Sequence, residues 1–345
     1  MAAMNQQILL ASRPHGEPVL ENFKRVESVI PDLPPGKMLL RAIYLSLDPY
    51  MRGRMNAGKS YAPPVEIGAV MEGSAVAAVV SSNLPNFKPG EIVFNPGHGW
   101  QEYALAGEEG IRAISPTAAR LSYALSVLGM PGFTAYAGLA NIGKPKSGDT
   151  LVVAAASGAV GSVVGQIGLI RGCRVIGIAG GEAKCRYVRD ELGFDDCLDH
   201  HEPNLAERLK AACPKGIDIY FENVGGEVFN AVFPLLNDFA RIPVCGLIAH
   251  YNATELPPGP DRLPLLMQQI LTRRLTFQGF IVWDFASQFP LFQAEMSQWL
   301  NDGKIKFKED ITEGLENAPR ELIGLLKGAN FGKKVIQVSA DPTSR

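Results

Sequence analysis

Up to about residue 128 the apolar positions fall in short β-type runs separated by turn residues. Residues 37–47, 68–80, 91–94 and 100–105 form such runs, punctuated by Pro34-Pro35-Gly36, Pro63-Pro64, Lys88-Pro89-Gly90 and Asn95-Pro96-Gly97. Short strands bounded by such turns predict a small barrel or sandwich. Near Gly129 the pattern changes. An apolar run at 150–155 leads into helical spacing over 159–171, and a β-branched run at 174–179 leads into a charged helical pattern over 182–192. Further strands are expected at 217–221, 241–246 and 275–282, and helices at 204–212, 227–236, 263–272 and 285–301. Strands apolar on both faces, alternating with helices, predict a doubly wound parallel α/β sheet. Residues 333–338 read as one more strand that returns to the first domain, and 339–345 as a frayed end.

The first strand–helix junction of the α/β part carries the clearest chemistry. Ala156-Ser157-Gly158-Ala159-Val160-Gly161 is A-x-G-x-x-G, directly after a strand and opening a helix. Gly158 lets backbone approach a pyrophosphate and Gly161 lets helix and strand pack closely. The helix start offers N–H groups and a positive dipole end to the phosphates. Alanine in the first glycine position weakens the bare pattern, but its βαβ setting predicts a dinucleotide site rather than a merely structural turn. The end of the next strand selects the cofactor. An NAD site wants a carboxylate about 20 residues beyond the glycines, and that place holds Gly180-Gly181, with Glu182 next and Lys184 a turn on. Two glycines leave room for a 2′-phosphate and Lys184 can pair with it, so the expected cofactor is NADPH. Glu182 keeps two readings, a ribose acceptor or a favourable first-turn helix charge; Lys184 keeps the alternative of a solvated helix residue.

Composition narrows the remaining chemistry. A chain of 345 residues fits two domains, and 46% hydrophobic residues exclude wholesale disorder. With 33 basic against 35 acidic side chains there is no basic excess for a nucleic-acid surface. No apolar run is long enough to span a membrane and no basic segment precedes Ile8-Leu9-Leu10, so a soluble, cytosolic protein is expected. The five cysteines, Cys173, Cys185, Cys197, Cys213 and Cys245, form no CxxC pair, and residues 1–128 hold only His15 and His98 as soft ligands. No zinc constellation is therefore expected. His98 reads as a loop residue, His200-His201 as a surface pair, and Cys245 as small apolar packing near the cofactor. There is no G-x-S-x-G pattern, so redox chemistry has to come from a bound cofactor.

Several motifs stand in order along the chain: Asp48-Pro49-Tyr50-Met51-Arg52, Gly129-Met130-Pro131-Gly132-Phe133-Thr134-Ala135-Tyr136, the glycine segment 154–165, Phe221-Glu222-Asn223-Val224-Gly225-Gly226, and Cys245-Gly246-Leu247-Ile248-Ala249-His250-Tyr251-Asn252. Together they resemble the zinc-independent medium-chain dehydrogenase/reductases of the leukotriene B4 dehydrogenase/prostaglandin reductase group, from about Ile8 to Val338. The resemblance implies a GroES-like β-barrel domain at 1–128, completed by 306–345, around a Rossmann NADPH-binding domain at 129–305. It also implies NADPH-dependent reduction of an alkene conjugated to a carbonyl, in a homodimer. By the same resemblance Gly158, Ala159, Val160 and Gly161 hold the pyrophosphate and Lys184 the 2′-phosphate. Asn223, Cys245, Gly246, Leu247, Ile248, Tyr251, Phe280, Ile281, Val282 and Asn330 surround the rest of the cofactor, with Met130 and Thr134 at the nicotinamide. His200 stands where the group usually has a tyrosine beside the ribose phosphate; an imidazole can still donate there.

Hydride addition to the β-carbon of an enone pushes charge onto the carbonyl oxygen, and a protonated tyrosine is a suitable donor to it. Tyr251, in a loop after a strand end, and Tyr50 are the candidates; each has the alternative of aromatic packing. Arg52 and Arg54 either steer an anionic substrate or are solvated. Residues 247–263, with Pro257-Pro258-Gly259-Pro260, form either a lid or a surface excursion. Residues 275–283 form an edge strand that pairs across a two-fold axis or a buried internal one. The competing functions are an NADPH:quinone reductase and a non-catalytic NADPH-binding protein.

Overall fold

The computed structural model describes residues 4–115, 117 and 119–343, and the chain divides into two compact units, 1–129 with 309–345, and 130–308. The expected frayed end falls partly on 344–345, outside the described residues. No helix among the described residues is long and apolar enough to cross a membrane.

The first unit is built around Met38–Ser46, in which every residue but Arg41 is buried. Ala75–Ser82 runs antiparallel along one side of it. The other side is divided between Tyr103–Ala106, opposite Met38 to Arg41, and Lys333–Gln337, opposite Tyr44 to Ser46. Ile92–Asn95 and Arg112–Ala113 extend the sheet one way, and Glu309–Glu313 lies parallel to Lys333–Gln337 at the other end. A separate antiparallel pair, Met4–Leu10 with Phe23–Val29, places Phe23 flat on Trp100, with centroids 5.7 Å apart and planes 7° apart. Helix Ala318–Leu326 seats Ala318 and Leu322 in the same core as Leu10, Leu45, Leu47, Met51 and Trp100. Sequence pattern did not reveal Met4–Leu10, Phe23–Val29 or Glu309–Glu313. The last two are largely polar, and backbone pairing rather than apolar alternation makes them strands.

In the second unit six parallel strands lie in the order Asp196–Asp199, Arg174–Ala179, Thr150–Ala154, Ile217–Phe221, Leu236–Val244, Thr276–Gly279. The chain order reverses beside Thr150–Ala154, where ligands bind in such sheets. Helix Gly161–Ile170 packs closely because a Cβ on Gly165 would stand 1.9 Å from Phe194, and one on Gly168 2.5 Å from Leu151. Helix Met130–Gly138 forms from M-P-G-F-T-A-Y-A-G despite two glycines and a proline, because all but its first residue are buried.

Three expectations need correction. The strand expected at 241–246 begins at Leu236 and ends at Val244, with a bulge at exposed Phe239 (φ 62°) that joins pairing at Leu236 to pairing at Arg241. The preceding helix is therefore only Gly226–Val232. The run at 275–282 yields only Thr276–Gly279, which takes the edge reading of the two offered for this segment. Residues 253–262 are exposed throughout.

Candidate functional site

The phosphate turn follows from one backbone reversal. Strand Thr150–Ala154 ends in Ala155, which takes a left-handed φ of 52°, a strain of order 1–3 kcal/mol for a non-glycine residue. Its carbonyl turns toward the helix and accepts from the Gly158 N–H at 2.9 Å. Gly161 must be glycine here, since a Cβ would stand 2.3 Å from that carbonyl oxygen. The N–H groups of Ala159, Val160 and Gly161 have no partner among the described residues. They open a ten-residue helix, so the donors and the positive dipole end suit a pyrophosphate.

At the adjoining strand end the Gly180-Gly181 turn is held by Asp199, whose Oδ1 accepts the N–H groups of Gly181 and His201, both at 2.9 Å. Those donors hold the Asp199 carboxyl below its ordinary value, against a desolvation cost that acts the other way. A Cβ on Gly181 would meet nothing within 4 Å, so there is space for a group beside Lys184, a half-buried side chain on Glu182–Arg186. Glu182 is committed elsewhere: its carboxylate pairs with Arg189 at 2.8 Å. The arrangement fits a phosphate rather than a ribose hydroxyl. His200 lies over the same turn, its Nε2 2.9 Å from where a Gly180 Cβ would be.

The loop after Ile217–Phe221 is fixed by two side chains that sequence reasoning left without a role. Buried Glu222 uses Oε1 to accept from Val224 N–H at 2.7 Å, Gly225 N–H at 2.8 Å and the Tyr220 hydroxyl at 3.0 Å. Burial pushes its carboxyl up against those donors. His250 Nε2 accepts the next N–H, that of Gly226, at 3.2 Å. The only sequence hint was their place inside the two motifs. Asn223 is thereby held with its amide donating to the Ala154 carbonyl at 2.9 Å, and its own carbonyl accepts from Ile248 N–H at 3.3 Å. Cys245 and Gly246 both donate their N–H groups to the Glu222 carbonyl. The Tyr251 hydroxyl accepts from Leu247 N–H at 3.4 Å and sits 3.0 Å from where a Gly246 Cβ would be. Burial, with Glu222 nearby, pushes the Cys245 thiol up to about 12, so it stays a neutral packing group.

Met130 and Thr134 share one helical turn, the Thr134 hydroxyl donating to the Met130 carbonyl at 2.8 Å. Further along that helix a Cβ on Gly138 would stand 2.8 Å from both Phe221 and Phe280, which ties the helix to the end of the central strand. Phe280 and Ile281 follow the edge strand directly, and Val282 opens the next turn. Residues 159–161, 184, 200, 223, 245–251 and 280–282 thus all follow the carboxyl ends of parallel strands, while Met130 and Thr134 lie on the helix before the first of those strands.

Tyr50 and Asn330 belong to the other unit. Tyr50 opens the short helix Tyr50–Arg54 and packs against the core, and burial, then Asp48 and Glu72, hold its phenol well above the usual value. Arg52 and Arg54 are neither solvated nor free to steer a substrate. Arg52 is buried and bonded to Asn56 and the Gly16 carbonyl, while buried Arg54 pairs with Glu72 at 2.8 Å and lies over the Tyr50 and Tyr61 rings. Asp48 is tied to buried Lys333 at 2.7 Å. The Asn330 amide donates to the Gly332 carbonyl at 2.7 Å. His98 is fully buried, which lowers its pKa to about 4, and its Nε2 lies 3.2 Å from the Gln101 carbonyl. Among the described residues no three His, Cys, Asp or Glu side chains converge as a metal site requires.

Comparison with known proteins places this geometry. Residues 6–114 match the family model of the N-terminal domain of oxidoreductase, and residues 159–299 that of zinc-binding dehydrogenase. NADPH-dependent curcumin reductase of Escherichia coli is 57% identical over 338 residues, covering 98% of each chain. Bovine prostaglandin reductase 1 is 39% identical, covering 93% of this chain and 95% of its own. The crystal structure of CurA from Vibrio vulnificus in complex with NADPH superposes with a TM-score of 0.95 at 57% identity, over 97% of this chain and all of the other. The chain belongs to the medium-chain dehydrogenase/reductase family, in the zinc-independent group of NADPH-dependent oxidoreductases that includes the prostaglandin and curcumin reductases.

Proposed function

We propose that the protein uses NADPH to reduce the carbon–carbon double bond of α,β-unsaturated ketones and aldehydes, with hydride delivered to the β-carbon. The observation that carries this reading is the Tyr251 hydroxyl, seated over Gly246 by the Leu247 N–H in the loop system that also fixes Asn223. The near-full-length similarity to curcumin reductase supports it.

The unpartnered N–H groups of Ala159 to Gly161 take the pyrophosphate, Lys184 and His200 the 2′-phosphate, and Asn223 with residues 245–248 the ribose and nicotinamide. Phe280 to Val282 and Asn330 complete the binding set, with Met130 and Thr134 at the nicotinamide. When bound, the nicotinamide supplies the hydride equivalent. As charge moves onto the substrate carbonyl oxygen, the Tyr251 O–H donates to it and stabilises the enolate. Tyr50 is the second donor. Its raised pKa keeps the proton on oxygen across the working range, so it acts through hydrogen bonding rather than by giving the proton away. Solvent water supplies the α-carbon proton. The active form is a homodimer joined through the exposed edge strand Thr276–Gly279.

The test is an NADPH-oxidation screen across small alkenals, aryl enones, diarylheptanoid dienones and quinones, with products identified. Saturated carbonyl products are expected. Turnover of quinones alone would favour the quinone-reductase reading, and NADPH binding without turnover a non-catalytic role.

A further inference from the structure

His200, placed above at the 2′-phosphate, and its neighbour His201 stand at the end of strand Asp196–Asp199, and their placement bears on cofactor choice. Ala179 and Asp199 are opposite one another in the sheet, and the His200 N–H donates to the Ala179 carbonyl at 3.0 Å, so His200 is tied by backbone to the Gly180-Gly181 turn. Its Nε2 stands 2.9 Å from where a Gly180 Cβ would be, and His201 packs edge-on at 4.2 Å between centroids. A Cβ at Gly180 would meet both imidazoles at 2.9 Å, so glycine there is what admits the pair.

The groups facing His200 come from three elements. His201 and Asp199 flank it on its own segment, with Asp199 Oδ1 3.6 Å from His201 Nδ1. Lys184 acts on it from Glu182–Arg186. From Leu205–Ala212, Arg208 donates to the Asp199 carbonyl at 2.6 Å and pairs with Glu202 at 3.1 Å. The Asp199 carboxylate already accepts two N–H groups, those of Gly181 and His201. Partial burial, then the His201 and Lys184 charges, hold the His200 imidazole below its ordinary value, while Asp199 acts the other way.

We propose that His200 reads the charge of the cofactor 2′-phosphate, so that preference for the phosphorylated cofactor is coupled to proton uptake at His200. The proposal rests on the NADPH reading above. Without ligand its surroundings disfavour the imidazolium; a phosphate dianion beside it favours that form, so binding draws a proton from solvent. The His200 contribution to preference grows as pH falls through the bound-state pKa and is lost above it.

The probes are 2′,5′-ADP and 5′-AMP, titrated calorimetrically into the full chain in buffers of different ionisation enthalpy, with His200→Gln and His200→Tyr alongside. The second ionisation of the phosphate itself, near about pH 6, is common to all three proteins and cancels in their difference. The wild type is expected to take up more proton with 2′,5′-ADP than either variant, and the same amount with 5′-AMP. His200→Tyr keeps a donor and retains binding without the extra uptake. At pH 6, His200→Gln should lower the preference for 2′,5′-ADP about 2- to 5-fold, the scale of a solvent-exposed charge contact, and by less at pH 8.5. Equal uptake by wild type and both variants would overturn the proposal. If 2′,5′-ADP binds no more tightly than 5′-AMP to the wild type, the NADPH reading beneath it fails instead.

Discussion

At the scale of single residues, Glu182, Arg52 and Arg54 are the positions whose open readings the structure closes. Glu182 could have been read as the ribose acceptor of an NAD enzyme, yet it is paired with Arg189, and the space over Gly181 is open beside Lys184. Lys184→Ala should therefore weaken NADPH about 10-fold, the low end for a charge-assisted phosphate contact on a half-buried side chain, and leave NADH binding unchanged in a fluorescence titration. Tyr251→Phe removes a donor aimed at developing charge and should lower kcat by about 100-fold, with the NADPH dissociation constant unmoved; stopped-flow hydride transfer and cofactor titration separate the two. The glycine turn was legible in sequence because spacing after a strand defines it. Glu222 and His250 were not, because their role lies in capturing the successive N–H groups of Val224, Gly225 and Gly226, and backbone direction is invisible in a list of side chains. Arg52 and Arg54 read as surface charges for the same reason: nothing local signals Glu72 or the carbonyls of Gly16 and Ala62 as partners.

At the scale of elements, close approach rather than helix propensity sets the cofactor turn. Helix Gly161–Ile170 carries three glycines on which a Cβ would collide with Ala155, Phe194 or Leu151. Gly161→Ala should destabilise the protein by about 1–3 kcal/mol, the usual cost of overpacking. The same substitution pushes the turn outward, so NADPH should raise the melting temperature of the variant less than that of the wild type. The strands at 150–154, 174–179 and 217–221 were readable as continuous apolar runs because both their faces are covered. Asp196–Asp199 was not, since acidic residues begin and end a four-residue strand whose place is set by pairing with Arg174–Ala179. The start of Leu236–Val244 was hidden by the bulge at Phe239, which breaks the period on which strand recognition depends.

At the scale of the whole molecule, the chain folds as two units, one antiparallel except for its last strand pair and one parallel, with the last strand carried back to pair with Met38–Ser46. That pairing spans nearly the full sequence; the isolated β-run at 333–338 and the family resemblance both pointed to it. The edge strand Thr276–Gly279 leaves one side of the parallel sheet open beside exposed Leu263, Met267 and Leu271 of the preceding helix. A dimer across that edge predicts a mass of twice 37.2 kDa in sedimentation equilibrium, and a mass of 37.2 kDa would exclude it.

The central claim is hydride delivery to the β-carbon of an enone. It is tested most directly with NADPH deuterated at C4 on the transferred face and a simple aryl enone, with the product analysed by NMR. A saturated ketone with deuterium at the β-carbon and solvent-derived hydrogen at the α-carbon is expected. An allylic alcohol with deuterium on the former carbonyl carbon would contradict it.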